Sequence, residues 1–221
     1  MRNLIVVLIL LGSLVGCDQE NESLDGHENG SARDKMHSEE NSTPPRKNAG
    51  EYVSNPQVTD DRSLVNVGES FSDEKGEAEL KAIKKVDEEI DVGPIRLIVK
   101  EVKVLSYRPD YSLIDFFHSY THEEVFNFVK IFVEIENQSN ETLNFAPAAL
   151  LETDKGEKKT WEDDIYLEEL NGKIEPGEKK AGNIGFIIEK SDFKSLSIIT
   201  SKVFDENEKE LNNEKVIKVS F

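Results

Sequence analysis

Ten residues, Phe126 to Ile135, constrain this chain more than any others. Val129, Ile131, Val133 and Ile135 fall on one side of a two-residue repeat, and Phe126, Phe128, Lys130, Phe132 and Glu134 fall on the other. A period of two belongs to an extended strand, whose successive side chains point to opposite faces of a sheet. The β-branched set defines a core face, and Asn137-Gln138-Ser139-Asn140 ends the strand with turn-forming residues.

The flanking sequence repeats this pattern in shorter pieces. Val86 to Val92 is a weak strand, Gly93-Pro94 turns, and Ile95 to Leu105 is a second strand. Ile95, Leu97 and Val99 share one face, whereas Val102 and Val104 are in the other phase, so a bulge or bend is expected at Lys100-Glu101. Further strands are expected at Ala149 to Glu152, Lys158 to Trp161, Lys180 to Ile188, Leu196 to Phe204 and Val216 to Phe221. Asp154-Lys155-Gly156 and Glu175-Pro176-Gly177-Glu178 are turns, with Pro176 setting φ and Gly177 tolerating a positive φ. Short strands at this spacing predict an all-β fold, a single antiparallel β-sandwich over residues 81–221. Just before it, Glu77 to Lys85 predicts a short helix, with acids first and bases last as the helix dipole favours.

The N-terminus has a different character. Arg2 precedes an unbroken apolar run, Leu4 to Leu11, and Leu14-Val15-Gly16-Cys17 follows. A charged start, a short apolar stretch and a small residue before the cut predict a signal peptide over residues 1–16. The run to Val15 is well short of the roughly 20 residues of a membrane span. Leu14 to Cys17 resembles the lipobox of bacterial lipoproteins, which implies lipidation of Cys17. Asp18 just after the cysteine would mark inner-membrane retention in a Gram-negative cell and would carry no such meaning in a Gram-positive one, which the Lys/Glu/Ile/Asn-rich composition resembles; the lipid anchor places the expected location at the outer face of the bacterial cytoplasmic membrane. Residues 17–80 then predict a disordered acidic tether, because isolated apolar residues among many charges cannot offset ordering entropy. A flexible tether of about 60 residues spans on the order of 40 Å.

Composition excludes several functions. The formal net charge of −18 over 221 residues argues against nucleic acid, which needs a cationic footprint. It also leaves membrane attachment to acyl chains and not to anionic headgroups. Cys17 is the single cysteine, so no intramolecular disulfide can form. Among motifs, no glycine-rich phosphate loop or nucleophile elbow is present, and no cofactor is implied.

Phe128 to Asn137 is a long strand ending in Glu-Asn, followed by a leucine-rich short strand and Asp154-Lys155-Gly156; Glu175-Pro176-Gly177-Glu178 then precedes Gly182-Asn183-Ile184-Gly185-Phe186. This order resembles the telokin-like, immunoglobulin-like domain of bacterial surface lipoproteins, a domain largely of unknown function that is similar to an immunoprotective extracellular protein fold. The resemblance covers roughly Glu88 to Phe221. It implies an immunoglobulin-like sandwich and carries over no catalytic residue. The segment Tyr107 to Glu124 departs from it, being longer and more aromatic than a minimal domain needs.

That segment holds the candidate contact residues. Tyr107, Tyr111, Phe116, Phe117 and Tyr120 offer rigid contact area for an envelope protein partner, or else fold down over one end of the sandwich. His118 and His122 are four apart, so on a helix they would face the same way and share a metal with nearby carboxylates. Ser119 stands where a zincin places its glutamate, which excludes that protease motif. The expected function is a non-catalytic surface lipoprotein that binds a partner, with extracellular metal binding or sensing as the alternative.

Overall fold

The computed structural model describes residues 54–221. The signal peptide, Cys17 and the first part of the tether lie outside the described residues. The described chain is built from antiparallel strands. In order they are β1 (Ser70–Asp73), β2 (Gly76–Val92), β3 (Ile95–Pro109), β4 (Phe126–Asn137), β5 (Leu143–Phe145), β6 (Leu150–Thr153), β7 (Lys158–Thr160), β8 (Gly172–Ile174), β9 (Lys179–Ile188), β10 (Ser195–Ile199), β11 (Val203–Asp205), β12 (Glu210–Asn212) and β13 (Val216–Ser220). One short helix, α1 (Ile114–Phe117), joins β3 to β4.

The long strands form one sheet in the order β1-β2-β3-β4-β9. Two smaller sheets, β13-β10-β6-β7 and β12-β11-β5-β8, make the facing layer. Between the layers lies a large apolar core. The long sheet contributes Ile95, Leu97, Val99, Val129, Ile131, Val133 and Ile184; the short sheets contribute Leu143, Phe145, Leu151, Ile198, Val203 and Ile217. The expected β-sandwich is therefore observed. The segment expected as one strand from Leu196 to Phe204 is two strands, β10 and β11, in different sheets. It turns the corner at Ser201, whose N–H donates to the Ala146 carbonyl and whose hydroxyl accepts from the Ala146 N–H.

The bulge expected at Lys100-Glu101 is present. Val99 pairs with Val133 and Glu101 with Phe132, leaving Lys100 as the extra residue. Its consequence is large. Beyond it Val102 and Val104 still face the main core, but Lys103, Leu105 and Tyr107 point to the other side of the sheet. There they meet Phe126 and Phe128 of β4, and Ala78 and Leu80 of β2. The long sheet is thus buried on both faces at one end, and this outer face carries a second apolar core.

The Glu77 to Lys85 segment is strand and not helix. Ala78 and Leu80, two residues apart, are both fully buried on the outer face. A nine-residue helix is marginal on its own, and pairing with β3 overrides a weak local preference. The tether reading is also corrected from residue 54 onward. Val58 and Leu64 are each 2% exposed and belong to the outer core, and β1 is paired with β2. Polar composition concealed a few well-spaced apolar anchors in a segment that folds against the sheet.

Candidate functional site

The outer core is closed by two coverings, the strap 54–66 and the turn that carries α1. The strap is held by side-chain hydrogen bonds. Asn55 donates to the Tyr166 carbonyl at 2.9 Å and accepts from the N–H groups of Gln57 and Val58. Thr59 donates to Asp73 at 2.9 Å. Deeper in, Asp61 accepts from Lys103 Nζ at 2.9 Å and from Lys130 Nζ at 2.5 Å, and the Asp61 carbonyl accepts from Lys103 as well. Glu101 lies 3.2 Å from Lys103, so two cations face two carboxylates. Burial alone would raise the Asp61 pKa; the two lysine charges and their hydrogen bonds outweigh it and hold it below the ordinary value. Sequence reasoning missed this site. Its trace was Lys103 between Val102 and Val104 and Lys130 between Val129 and Ile131, since buried ammonium groups need an anion.

The turn between β3 and β4 sorts the aromatic residues. Tyr107 is fully buried, and its hydroxyl donates to the Lys75 carbonyl at 2.7 Å and the Gln57 carbonyl at 3.2 Å. Burial pushes its pKa up to about 12. Phe117 is 2% exposed and packs on Tyr107 and Phe126, with ring centroids 5.5 and 5.1 Å away. These two residues are therefore core residues and are withdrawn as contact candidates: the sheet's second face requires an apolar cover, and they supply it. Phe116 and Tyr120 are half-buried at the margin, where the Tyr120 hydroxyl donates to the Asp164 carbonyl at 3.3 Å.

Tyr111 is different. Asp110 caps a single 3-10 turn, Tyr111–Leu113, by accepting from the Ser112 N–H and hydroxyl at 2.9 and 2.7 Å. These bonds hold its carboxyl below the ordinary range. The turn leaves the Tyr111 side chain 88% exposed. The next two residues of the turn, Ser112 and Leu113, line a cleft of about 310 Å³ together with Ser54, Asn55, Pro56 and Lys75. A second cleft of about 210 Å³, on the other side of the strap's first residues, is lined by Gln57, Tyr166, Leu167 and Glu168. Leu167 is 55% exposed, and Gln57 Oε1 is buried there with no hydrogen-bond partner among the described residues.

The second cleft is positioned by the loop 164–168, which lies along the open edge of β9. Asp164 Oδ1 accepts from the N–H groups of Gly185 and Tyr166 at 2.8 and 3.0 Å, and Glu168 accepts from the Asn183 N–H at 3.0 Å. Together with the Ile165 N–H, which donates to the Gly185 carbonyl at 2.9 Å, these carboxylates take the place of a neighbouring strand. The approach is close enough that a Cβ on Gly185 would lie 2.7 Å from the Tyr166 ring. Burial is the largest influence on Asp164 and pushes its pKa up to about 6, against the lowering effect of the backbone hydrogen bonds.

His118 and His122 are both exposed, and their ring centroids lie 5.7 Å apart. Among the described residues, no group of three or more His, Cys, Asp or Glu is arranged to hold a metal ion. At the acidic turn 205–208, the Asp205 carboxylate accepts from the Asn207 and Lys209 N–H groups at 2.8 and 3.0 Å.

A Bacillus subtilis (strain 168) protein described as "Uncharacterized protein YdhF" is 42% identical over 238 residues, spanning 100% of both chains. Among solved structures, a conserved hypothetical protein from Bacillus anthracis is 14% identical with a TM-score of 0.34, covering 63% of this chain and 97% of that one. The yjhA protein from Bacillus subtilis is 15% identical with a TM-score of 0.30, covering 70% and 99%. Residues 84–209, more than half of the chain, match the family model described as Domain of unknown function (DUF4352), and the chain belongs to that family.

Proposed function

We propose that this chain is a non-catalytic lipoprotein of the bacterial envelope, anchored through Cys17 at the outer face of the cytoplasmic membrane. Its folded domain binds an envelope protein partner. The lipobox-like Leu14 to Cys17 supports the anchor, and the acidic stretch after it supports presentation away from the lipid surface. The two-layer antiparallel arrangement supports an immunoglobulin-like, telokin-like reading of the domain.

One observation carries the binding role. Tyr111 is a large aromatic side chain held outward on a capped turn whose next two residues, Ser112 and Leu113, line a cleft. A rigid aromatic beside a cleft suits recognition, because few rotamers are lost on contact. A photo-crosslinking residue at position 111, expressed in intact cells, tests this reading. Capture of a discrete envelope protein, lost at a control position such as Lys218 on β13, is the expected result. Equal labelling at both positions would sink it, as would full partner binding by Tyr111→Ala. Metabolic labelling with a fatty acid, compared with Cys17→Ala, tests the anchor.

A further inference from the structure

Two exposed histidines stand together on the turn that follows α1. The ring planes of His118 and His122 are inclined at 64°, with centroids 5.7 Å apart. Neither ring is part of either apolar core. Their closeness follows from the four-residue spacing on a helical turn, and burial plays no part in it.

The turn that carries them is anchored at its neighbouring residues. Phe117, adjacent to His118, is locked among Tyr107 and Phe126. Tyr120, between the histidines, reaches the Asp164 carbonyl. The Thr121 N–H, adjacent to His122, donates to the Phe117 carbonyl at 2.9 Å. Two imidazoles on an anchored turn lose little freedom when a common ligand holds them both.

Their separation suits a shared ion. A nitrogen bound at about 2.0–2.1 Å places its ring centroid about 3.2 Å from the metal. Two such rings at a tetrahedral angle have centroids about 5.2 Å apart, close to the observed 5.7 Å. Glu123 and Glu124, both exposed, add negative charge beside the pair and raise the local concentration of cations.

We infer that His118 and His122 together bind one divalent first-row transition-metal ion, with Cu²⁺ preferred over Zn²⁺ as the general affinity order of these ions dictates. The two rings supply half of a four-coordinate shell, and water takes the remaining positions. The site is exchangeable, with no part in holding the fold together. It stands independently of the partner-binding surface at Tyr111.

Titration of the full-length chain in detergent with Cu²⁺ and with Zn²⁺, followed by calorimetry and electron paramagnetic resonance, tests the site. The expected result is one Cu²⁺ bound with nitrogen hyperfine coupling, and weaker Zn²⁺ binding. His118→Ala and His122→Ala should each weaken Cu²⁺ binding at least tenfold, with metal-free melting temperatures unchanged because both side chains are exposed. Tyr111→Ala should leave Cu²⁺ affinity intact. Absence of nitrogen coupling would overturn the inference. Unchanged Cu²⁺ affinity in the double alanine variant would also overturn it, assigning the ion to His27 and His37 instead.

Discussion

Lys103 and Lys130 stand directly opposite each other on β3 and β4, buried to 2% and 6% exposure, and both ammonium groups end on the carboxylate of Asp61. Like charges opposed across a sheet repel, so this pair is tolerable only with an anion between them. That anion comes from the strap. The sheet's outer face and the strap 54–66 are therefore electrostatically interdependent: neither is satisfied without the other.

Asp61→Asn should consequently destabilise the domain by about 3–5 kcal/mol, since it leaves two buried ammonium groups without their shared counter-charge. Urea denaturation followed by tryptophan fluorescence measures this. Replacing all three residues with apolar ones, Asp61→Leu/Lys103→Met/Lys130→Met, should recover much of the loss. If Asp61→Asn costs less than about 1 kcal/mol, the triad is not what secures the strap.

Stability should depend on pH in two adjacent windows. The Asp61 pKa is lowered in the folded state, so its contribution is complete above the ordinary value of 3.8 and is lost as pH falls through the depressed value. Asp164 has the opposite sign. Its folded pKa is raised from 3.8 to about 6, so its contribution is fully present below 3.8 and is lost as pH rises through about 6. Asp164→Asn keeps an acceptor for the Gly185 and Tyr166 N–H groups and removes the buried charge. It should flatten the profile between pH 4 and 6 and raise stability at pH 7 by about 1–3 kcal/mol. Thermal melts across pH 3 to 8 read both arms.

Gly185→Ala should lower stability by about 1–3 kcal/mol, because its Cβ would overlap the Tyr166 ring and force the loop 164–168 off β9. Hydrogen exchange should show the Ile165 N–H, which donates to the Gly185 carbonyl at 2.9 Å, losing protection before the strand interior does. Unchanged protection would mean that the loop yields without leaving the edge.

Tyrosines 107 and 111 should separate cleanly. Tyr107→Phe removes a buried hydroxyl that serves two carbonyls and should cost about 1–2 kcal/mol. Tyr111→Ala removes an exposed ring and should change stability by less than about 0.5 kcal/mol. Chemical denaturation of both variants checks the contrast, and a large loss for Tyr111→Ala would place that ring in the core.

The strand pattern of the sandwich was legible because its inner face is written in β-branched residues two apart. The Val129 to Ile135 set, the slip at Lys100-Glu101 and the turns at Gly93, Gly156 and Gly177 all appear where local rules place them. Asn137 also ends its strand as expected, donating to the Glu141 and Ile174 carbonyls. These features are local: periodicity, turn chemistry and glycine's tolerance of positive φ act within a few residues. They determine that this chain forms antiparallel strands and which side chains share each face.

Only the tertiary structure decided what covers the second face. Tyr107 reads as a loop aromatic, and Asp61 as one acid among many in a polar stretch. Their burial follows from the bulge that turns Lys103, Leu105 and Tyr107 outward, and from the strap that returns to meet them. Contacts between residues some forty to seventy positions apart leave no periodic trace in the sequence. They arise because an apolar sheet face holding two buried lysines needs both apolar cover and a negative charge, and folding brings both from a distance.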